Sequence, residues 1–304
     1  MSRLVIIGGS DAGTSAALRA REVDIDGGYI GLELADALTH RGLSLTVIEH
    51  GASVLKNFDT SLGQHIGAEL RRHGVQVVSS VGIEEIVQEG GQLRVRGSEG
   101  FSTTADLVLV GVGVQPVTDL AQSAGVTLGA RNAIHVSRAM ETNVPDIYAA
   151  GDCVETWHRL LGRPTYLPLG TTAHKQGRIA GENAVGGHQE FAGTLGTQVV
   201  KVFDMVVART GLRDDEARSA GFDPLTVEST FWDHKAYYPG AYEMRFRLTG
   251  DQQTGRLLGA QIAGHWHSEV AKRIDIFATA LFHDMRIDDL NALDLSYTPP
   301  VSSP

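Results

Sequence analysis

Apolar and polar positions alternate along this chain in two rhythms, and each stretch of rhythm sets an expected element. A short apolar run at 4–7 reads as a strand. Gly8-Gly9-Ser10-Asp11-Ala12-Gly13 follows as a glycine turn that leads into an Ala-rich helix to about Arg21. A second glycine turn, Gly27-Gly28-Tyr29-Ile30-Gly31, opens a helix through Leu32, Leu34, Ala35 and Leu38, and Gly42 stops it. Residues 43–48 read as a strand ending on Glu49. Asp59 stands where it caps a helix with Leu62, Ile66 and Leu70 on one face, closed by Gly74. Strands are expected at 75–78, 83–87 and 93–95, and the nearly unbroken apolar run 105–110 reads as a strand buried on both faces. From Gly113 to about Gly187 the pattern is loop-rich. Beyond it, 199–207, 243–248 and 257–263 read as strands, 250–255 as the turn between the last two, and about 268–282 as a helix. That last part forms a separate α+β domain.

A glycine turn between strand and helix lets backbone N–H groups approach a pyrophosphate, and the helix N-terminus adds favourable partial charge. The first turn has Ser10 where the dinucleotide fingerprint prefers glycine, and an ordinary tight turn is the competing reading. The second has more context. Glu49 lies 18 residues after Gly31, at the end of the next strand, where an acid bonds an adenosine ribose 2′-hydroxyl and repels a 2′-phosphate. This favours NADH over NADPH, against the plainer reading of a surface Glu at a strand end. Two departures stand beside it. Asp26 occupies the first fingerprint position, and the charged residues 21–24 are too short for the strand that should precede the turn.

Composition narrows the field. At 304 residues the chain has room for two or three domains, and 42% hydrophobic with 20% charged residues is ordinary for a globular protein. A net charge of −10 argues against nucleic acid as a partner, and no apolar run reaches the length of a membrane span. Met1-Ser2-Arg3 runs straight into the first strand without the marks of an export signal, so a cytoplasmic location is expected. Cys153 is the single cysteine, which excludes a dithiol pair within the chain. His265 and His267 alternate on an extended segment without an evident third ligand, so no metal site is expected.

Several segments now carry a resemblance. Residues 25–38 resemble the NAD-binding segment of the coenzyme A disulfide reductase, NADH oxidase and NADH peroxidase group of FAD-dependent pyridine nucleotide-disulfide oxidoreductases. Residues 4–21 resemble that group's N-terminal FAD segment, and 142–153, with Gly151-Asp152-Cys153, its second FAD motif. Residues 168–178 are similar to the segment that passes the isoalloxazine, while 237–241 and 294–300 resemble parts of its dimerisation domain. The resemblance implies an α/β fold with two nested Rossmann-like units and a C-terminal α+β dimerisation domain. The units would be an incomplete FAD-binding domain at 1–24 and 113–190, an NAD(P)-binding domain at 25–112, and a dimerisation domain at 191–304. It implies that Gly8, Gly9, Ser10, Asp11, Ala12 and Gly13 line the FAD pyrophosphate, with Gly151, Asp152 and Ala173 on the flavin's other side. Gly28, Ile30, Gly31 and Glu49 would hold NADH, with Gly113 at the domain crossing, Tyr29 over the flavin and Glu33 beside the nicotinamide. Tyr238 and Tyr297 would reach the partner subunit's active site in a homodimer, packing being the alternative for both. Cys153 corresponds to a buried thiol without a redox role.

The departures from the family matter as much. Only residues 22–27 lie between the end of the first turn's helix and Gly28, whereas a single βαβ unit takes about 30 residues. The second flavin strand, its terminal acid, the redox cysteine and the first strand of the NAD unit are therefore expected to be missing. The chain also stops soon after Pro300, so it reads as a truncated or internally deleted product. The expected activity is hydride transfer from NADH to FAD and on to a small-molecule electron acceptor. The alternative is a catalytically inactive, dimerising nucleotide-binding remnant or an NADH-binding module.

Overall fold

The computed structural model describes residues 3–7 and 29–303. Strand β1 (Arg3–Ile7) is followed by helix α1 (Tyr29–His40), β2 (Ser44–Ile48), α2 (Thr60–Arg72) and β3 (Gln76–Val78). Three antiparallel strands come next, β4 (Ile83–Glu89), β5 (Gln92–Gly97) and β6 (Ser102–Ala105), and then β7 (Leu107–Val110). The parallel sheet has the order β3-β2-β1-β7. Sequence reasoning leaves the unit at 25–112 without a first strand. The structure corrects this: β1 hydrogen-bonds to β2 on one side and β7 on the other, filling that place. A run of apolar residues whose backbone groups are all paired is most stable between two parallel neighbours, and β2 and β7 offer both.

Helix α1 buries Ile30, Leu32, Leu34 and Ala35 because it lies between β2 and the C-terminal sheet, so more than one of its faces is covered. Helix α2 starts where Asp59 accepts a hydrogen bond from the Ser61 N–H at 3.0 Å. Leu62, Ile66 and Leu70 are all fully buried, and Gly74, at φ +82°, takes the left-handed conformation that ends such a helix. The expected strand 105–110 is interrupted at Asp106, where the chain leaves β6 and enters the other sheet as β7. Strand β7 is an edge strand among the described residues, with Leu107 47% exposed and the rest partly buried, so burial on both faces does not hold.

Residues 113–190 are irregular, as expected, around a small core of Val126, Ile134, Val136, Met140, Val154 and Phe191. They also contain helix α3 (Asp119–Ser123), the hairpin of β8 (Thr156–His158) with β9 (Arg163–Thr165), and helix α4 (Gly170–Asn183). The loop-rich reading missed the 14-residue α4, whose small and polar residues give it no long apolar stripe. The apolar residues 147–150 join no sheet among the described residues. Their β-pairing among the described residues is an isolated bridge between Tyr148 and Glu141, beside turn hydrogen bonds from Ala149 N–H to the Met140 carbonyl and from Thr142 N–H to the Ile147 carbonyl.

The C-terminal part is an antiparallel sheet in the order β10-β11-β14-β13-β12. Its strands are β10 (Gln198–Val202), β11 (Met205–Gly211), β12 (Pro224–Trp232), β13 (Glu243–Asp251) and β14 (Leu257–His265), with helix α5 (Asp214–Ser219) between β11 and β12. Helix α6 (Val270–Phe282) packs on β11 and β14, and α7 (Ile287–Asn291) follows. The single strand expected at 199–207 is a hairpin, turned at Phe203 with φ 52°. Strand β12 was not foreseen. It is an edge strand whose Leu225 and Val227 stay exposed, so it lacks a buried face to mark it in the sequence.

Candidate nucleotide-binding site

The parallel sheet presents its carboxyl edge where Ile7, the last residue of β1, is paired with Ile48 on one side and Val110 on the other. From β1 the chain crosses through α1 to β2, while β7 lies on the opposite side. The reversal of strand order between β1 and β7 is thus the switch point beyond whose strand ends open α/β sheets bind ligands. Glu49 follows β2 at this edge. Its N–H donates to the Val78 carbonyl at 2.8 Å and its carbonyl accepts from Val81 at 3.2 Å, which locks its backbone. The side chain is 5% exposed and Oε1 accepts the Gly51 N–H at 2.9 Å. Tyr29 begins α1 half-buried against the core, Ile30 and Gly31 are buried behind it, and Glu33 is exposed on the same helix. Gly113 follows β7 at φ +124°, a conformation that a side chain would resist. The structure thus brings β1, Glu49 and Gly113 to one edge. Gly8, Gly9, Ser10, Asp11, Ala12, Gly13 and Gly28 lie outside the described residues, as does the helix expected to about Arg21.

A second constellation surrounds Gly151. Its φ is +94°, its N–H donates to Gln176 Oε1 at 3.1 Å, and a Cβ added there meets the Ala173 methyl at 4.0 Å. Gln176 is fully buried and also donates to Thr156 Oγ1 at 3.2 Å, so one amide ties the turn to α4 and β8. Asp152 is exposed beside this turn. Burial pushes the Tyr166 hydroxyl up, and the charge of Asp152 adds to it, which places that ring near the aspartate. Helix α4 starts after Leu169 with no side-chain cap, leaving the positive end of its dipole without a local acceptor from a side chain. Gly151, Asp152 and Ala173 are therefore neighbours. Tyr166 and Gln176 were not singled out in the sequence. Gln176 lies within the resembling segment 168–178, but its pairing with Gly151 depends on the fold.

Cys153 is half-buried, with Sγ 3.6 Å from the Ala150 carbonyl. Burial raises its thiol, and Asp152 raises it further, which disfavours the thiolate. Tyr238 and Tyr297 are 39% and 48% exposed on the C-terminal domain. Lys235 links them: its carbonyl accepts from the Tyr238 N–H at 2.9 Å and its ammonium lies 5.4 Å from the Tyr297 ring centre. His265 and His267 have ring centres 5.0 Å apart, and Tyr242 stacks on His265 at 3.9 Å. Glu69, His73 and Asp204 converge between α2 and the β10–β11 turn. There Arg72 already bridges Glu69 at 2.7 Å and Asp204 at 2.8 Å, so a guanidinium supplies the positive charge.

Residues 25–177 match the pyridine nucleotide-disulphide oxidoreductase family, and 197–304 match that family's dimerisation domain. The NAD(P)H sulfur oxidoreductase (CoA-dependent) of Pyrococcus abyssi is 35% identical over 287 residues, covering 91% of this chain and 61% of that protein. Among solved structures, an NAD-dependent persulfide reductase from A. fulgidus is 38% identical with a TM-score of 0.88, over 99% of this chain and 52% of that one. A water-forming NADH oxidase from Lactobacillus brevis, bound to NADH, is 26% identical with a TM-score of 0.88, over 100% of this chain and 63% of its own. This chain thus spans about 61% of the length of the curated relative. With both family segments matched in order across most of its length, the chain belongs to the pyridine nucleotide-disulphide oxidoreductase family.

Proposed function

We propose that the chain serves NAD(P)H-dependent, flavin-linked oxidoreduction, with NADH as hydride donor and a small-molecule electron acceptor at the end. Glu49 is the observation that carries the donor half. A buried carboxylate, fixed at the end of the strand beside β1, suits an adenosine ribose with a free 2′-hydroxyl and repels a 2′-phosphate. The similar NADH oxidase bound to NADH supports the same choice. Flavin, when bound, supplies a two-electron carrier between nicotinamide and acceptor. The residues of this chain fit part of it. Gly151 leaves room that a side chain would narrow, Asp152 and Tyr166 offer polar groups, and the N-terminus of α4 offers partial positive charge. The adenylate half does not fit in the same way, because β1 stands in the nicotinamide sheet and residues 147–150 do not pair with it.

In this reading β1 joins 25–112 as the nicotinamide unit, 113–190 is a reduced flavin unit, and 191–304 brings two copies together as a homodimer. Tyr238 and Tyr297 would then face the partner. Cys153 takes no part, so the acceptor does not pass through a thiolate of this chain. No described helix is long and apolar enough to cross a membrane. The test mixes purified chain, NADH and flavin without oxygen and follows the flavin colour. Bleaching that scales with the amount of chain is expected; a rate equal to that of NADH and flavin alone sinks the reading. The placement of β1 favours one second reading, an NADH-binding module without turnover. It predicts NADH binding with no bleaching.

A further inference from the structure

One strand stands where two nucleotide units each have use for it. The resemblance assigns β1 to the flavin unit, yet its backbone is paired along its length with β2 and β7, from Arg3 with Ser44 to Ile7 with Ile48 and Val110. A strand with both edges paired cannot also pair with residues 147–150. Those residues lead directly to Gly151 and Asp152 and are left outside every sheet among the described residues. The consequences for the two ligands differ. The nicotinamide unit gains its central strand, with Glu49 at the adjoining strand end. Among the described residues the flavin unit keeps the shell around Gly151, Ala173, Tyr166 and Gln176, built on a glycine turn and the start of one helix.

We propose that this chain holds flavin as an exchangeable ligand, gripped at its ring and ribityl chain alone, because the strand of its adenylate cradle completes the NADH site instead. The inference rests on the flavin-linked function above. It predicts that the adenylate half of FAD adds little to binding, so that FAD, FMN and riboflavin are accepted alike. It also predicts that the two ligands are separable, since ADP-ribose resembles NADH at the Glu49 edge and resembles nothing that the Gly151 shell recognises.

The experiment measures equilibrium binding of FAD, FMN and riboflavin to the purified full chain by quenching of flavin fluorescence. NADH binding is measured by its own fluorescence, with ADP-ribose as competitor in both. Dissociation constants for FAD and FMN within about tenfold of each other are expected, with ADP-ribose displacing NADH and leaving FMN bound. FAD held more than about a hundredfold tighter than FMN overturns the proposal, since a second adenylate cradle would then exist. Failure of all three flavins to bind overturns it as well. Failure of NADH alone to bind removes the donor half of the proposed function, while the flavin comparison still decides the inference. Gln176→Leu separates the shell from general stability: it is expected to weaken the three flavins equally and leave NADH binding unchanged. Equal loss of NADH binding in that variant contradicts the separation of the two sites.

Discussion

Burying a carboxylate costs several kcal/mol unless donors surround it, and Glu49 is 5% exposed with a backbone N–H 2.9 Å from Oε1. Replacing it by the isosteric amide keeps the volume and removes the charge that a ribose hydroxyl would meet. Glu49→Gln is expected to weaken NADH by about tenfold, the scale of one charge-assisted hydrogen bond, and to leave NADPH unchanged or improved. Titration of both nucleotides checks this, and equal weakening of the two would mark Glu49 as a purely structural residue. His158 makes a different kind of prediction. Burial lowers its pKa from 6.5 to about 4; Glu216 works against the shift, while Arg209 and Arg163 reinforce it. The unfolded chain therefore binds the extra proton between pH 6.5 and about 4. The contribution of the neutral ring is whole above that window and falls away as the pH drops through it, by about 3 kcal/mol in all. Urea unfolding at pH 7.5 and 4.5 should show this loss, and His158→Gln should show a flatter dependence. An equal slope in the variant would assign the acid sensitivity to other groups.

Among the elements, α2 is the most legible in the sequence, β12 and α4 are the least, and β1 is legible only in part. Leu62, Ile66 and Leu70 repeat every four residues between Asp59 and Gly74, so local chemistry alone specifies the start, the buried face and the end. Asp59 also holds Arg247 at 2.8 Å, a contact between distant parts of the chain that no local pattern reveals. Asp59→Ala removes cap and ion pair together, whereas Asp59→Asn keeps the cap. Urea midpoints should place the alanine variant about 1 kcal/mol below the asparagine variant. Strand β1 was foreseen as a strand, but its sheet was not. Strand character is written in five residues, while the choice of partner depends on which edges are open in the folded chain. The same limit hid the break at Asp106, where a single polar residue lets the chain change sheets, and the role of Gln176, whose partner Gly151 lies 25 positions away. Val5→Pro deletes one donor from a strand paired on both sides and should cost about 3 kcal/mol. Hydrogen exchange in 44–48 and 107–110 should quicken in that variant. Unchanged exchange would place β1 outside the sheet.

At the scale of the whole molecule, α1 and α2 share one core with Val200, Val202, Phe203, Val207 and Ala263 of the C-terminal sheet. The bridge from Arg72 to Glu69 and Asp204 closes the rim of that contact. The parallel-sheet unit therefore rests on the dimerisation domain through a shared apolar interior, and residues 113–190 keep their own smaller core around Met140 and Val154. Among the described residues, β1, β2 and β7 form the edge at Glu49 without contact to the shell around Gly151 in the sheet pairing. The most direct measurement titrates flavin-free chain with NADH and counts the equivalents bound. One NADH per chain, at the same affinity with and without added FMN, is the predicted result. Binding that begins only once flavin is supplied would contradict the claim that β1 completes the nicotinamide site.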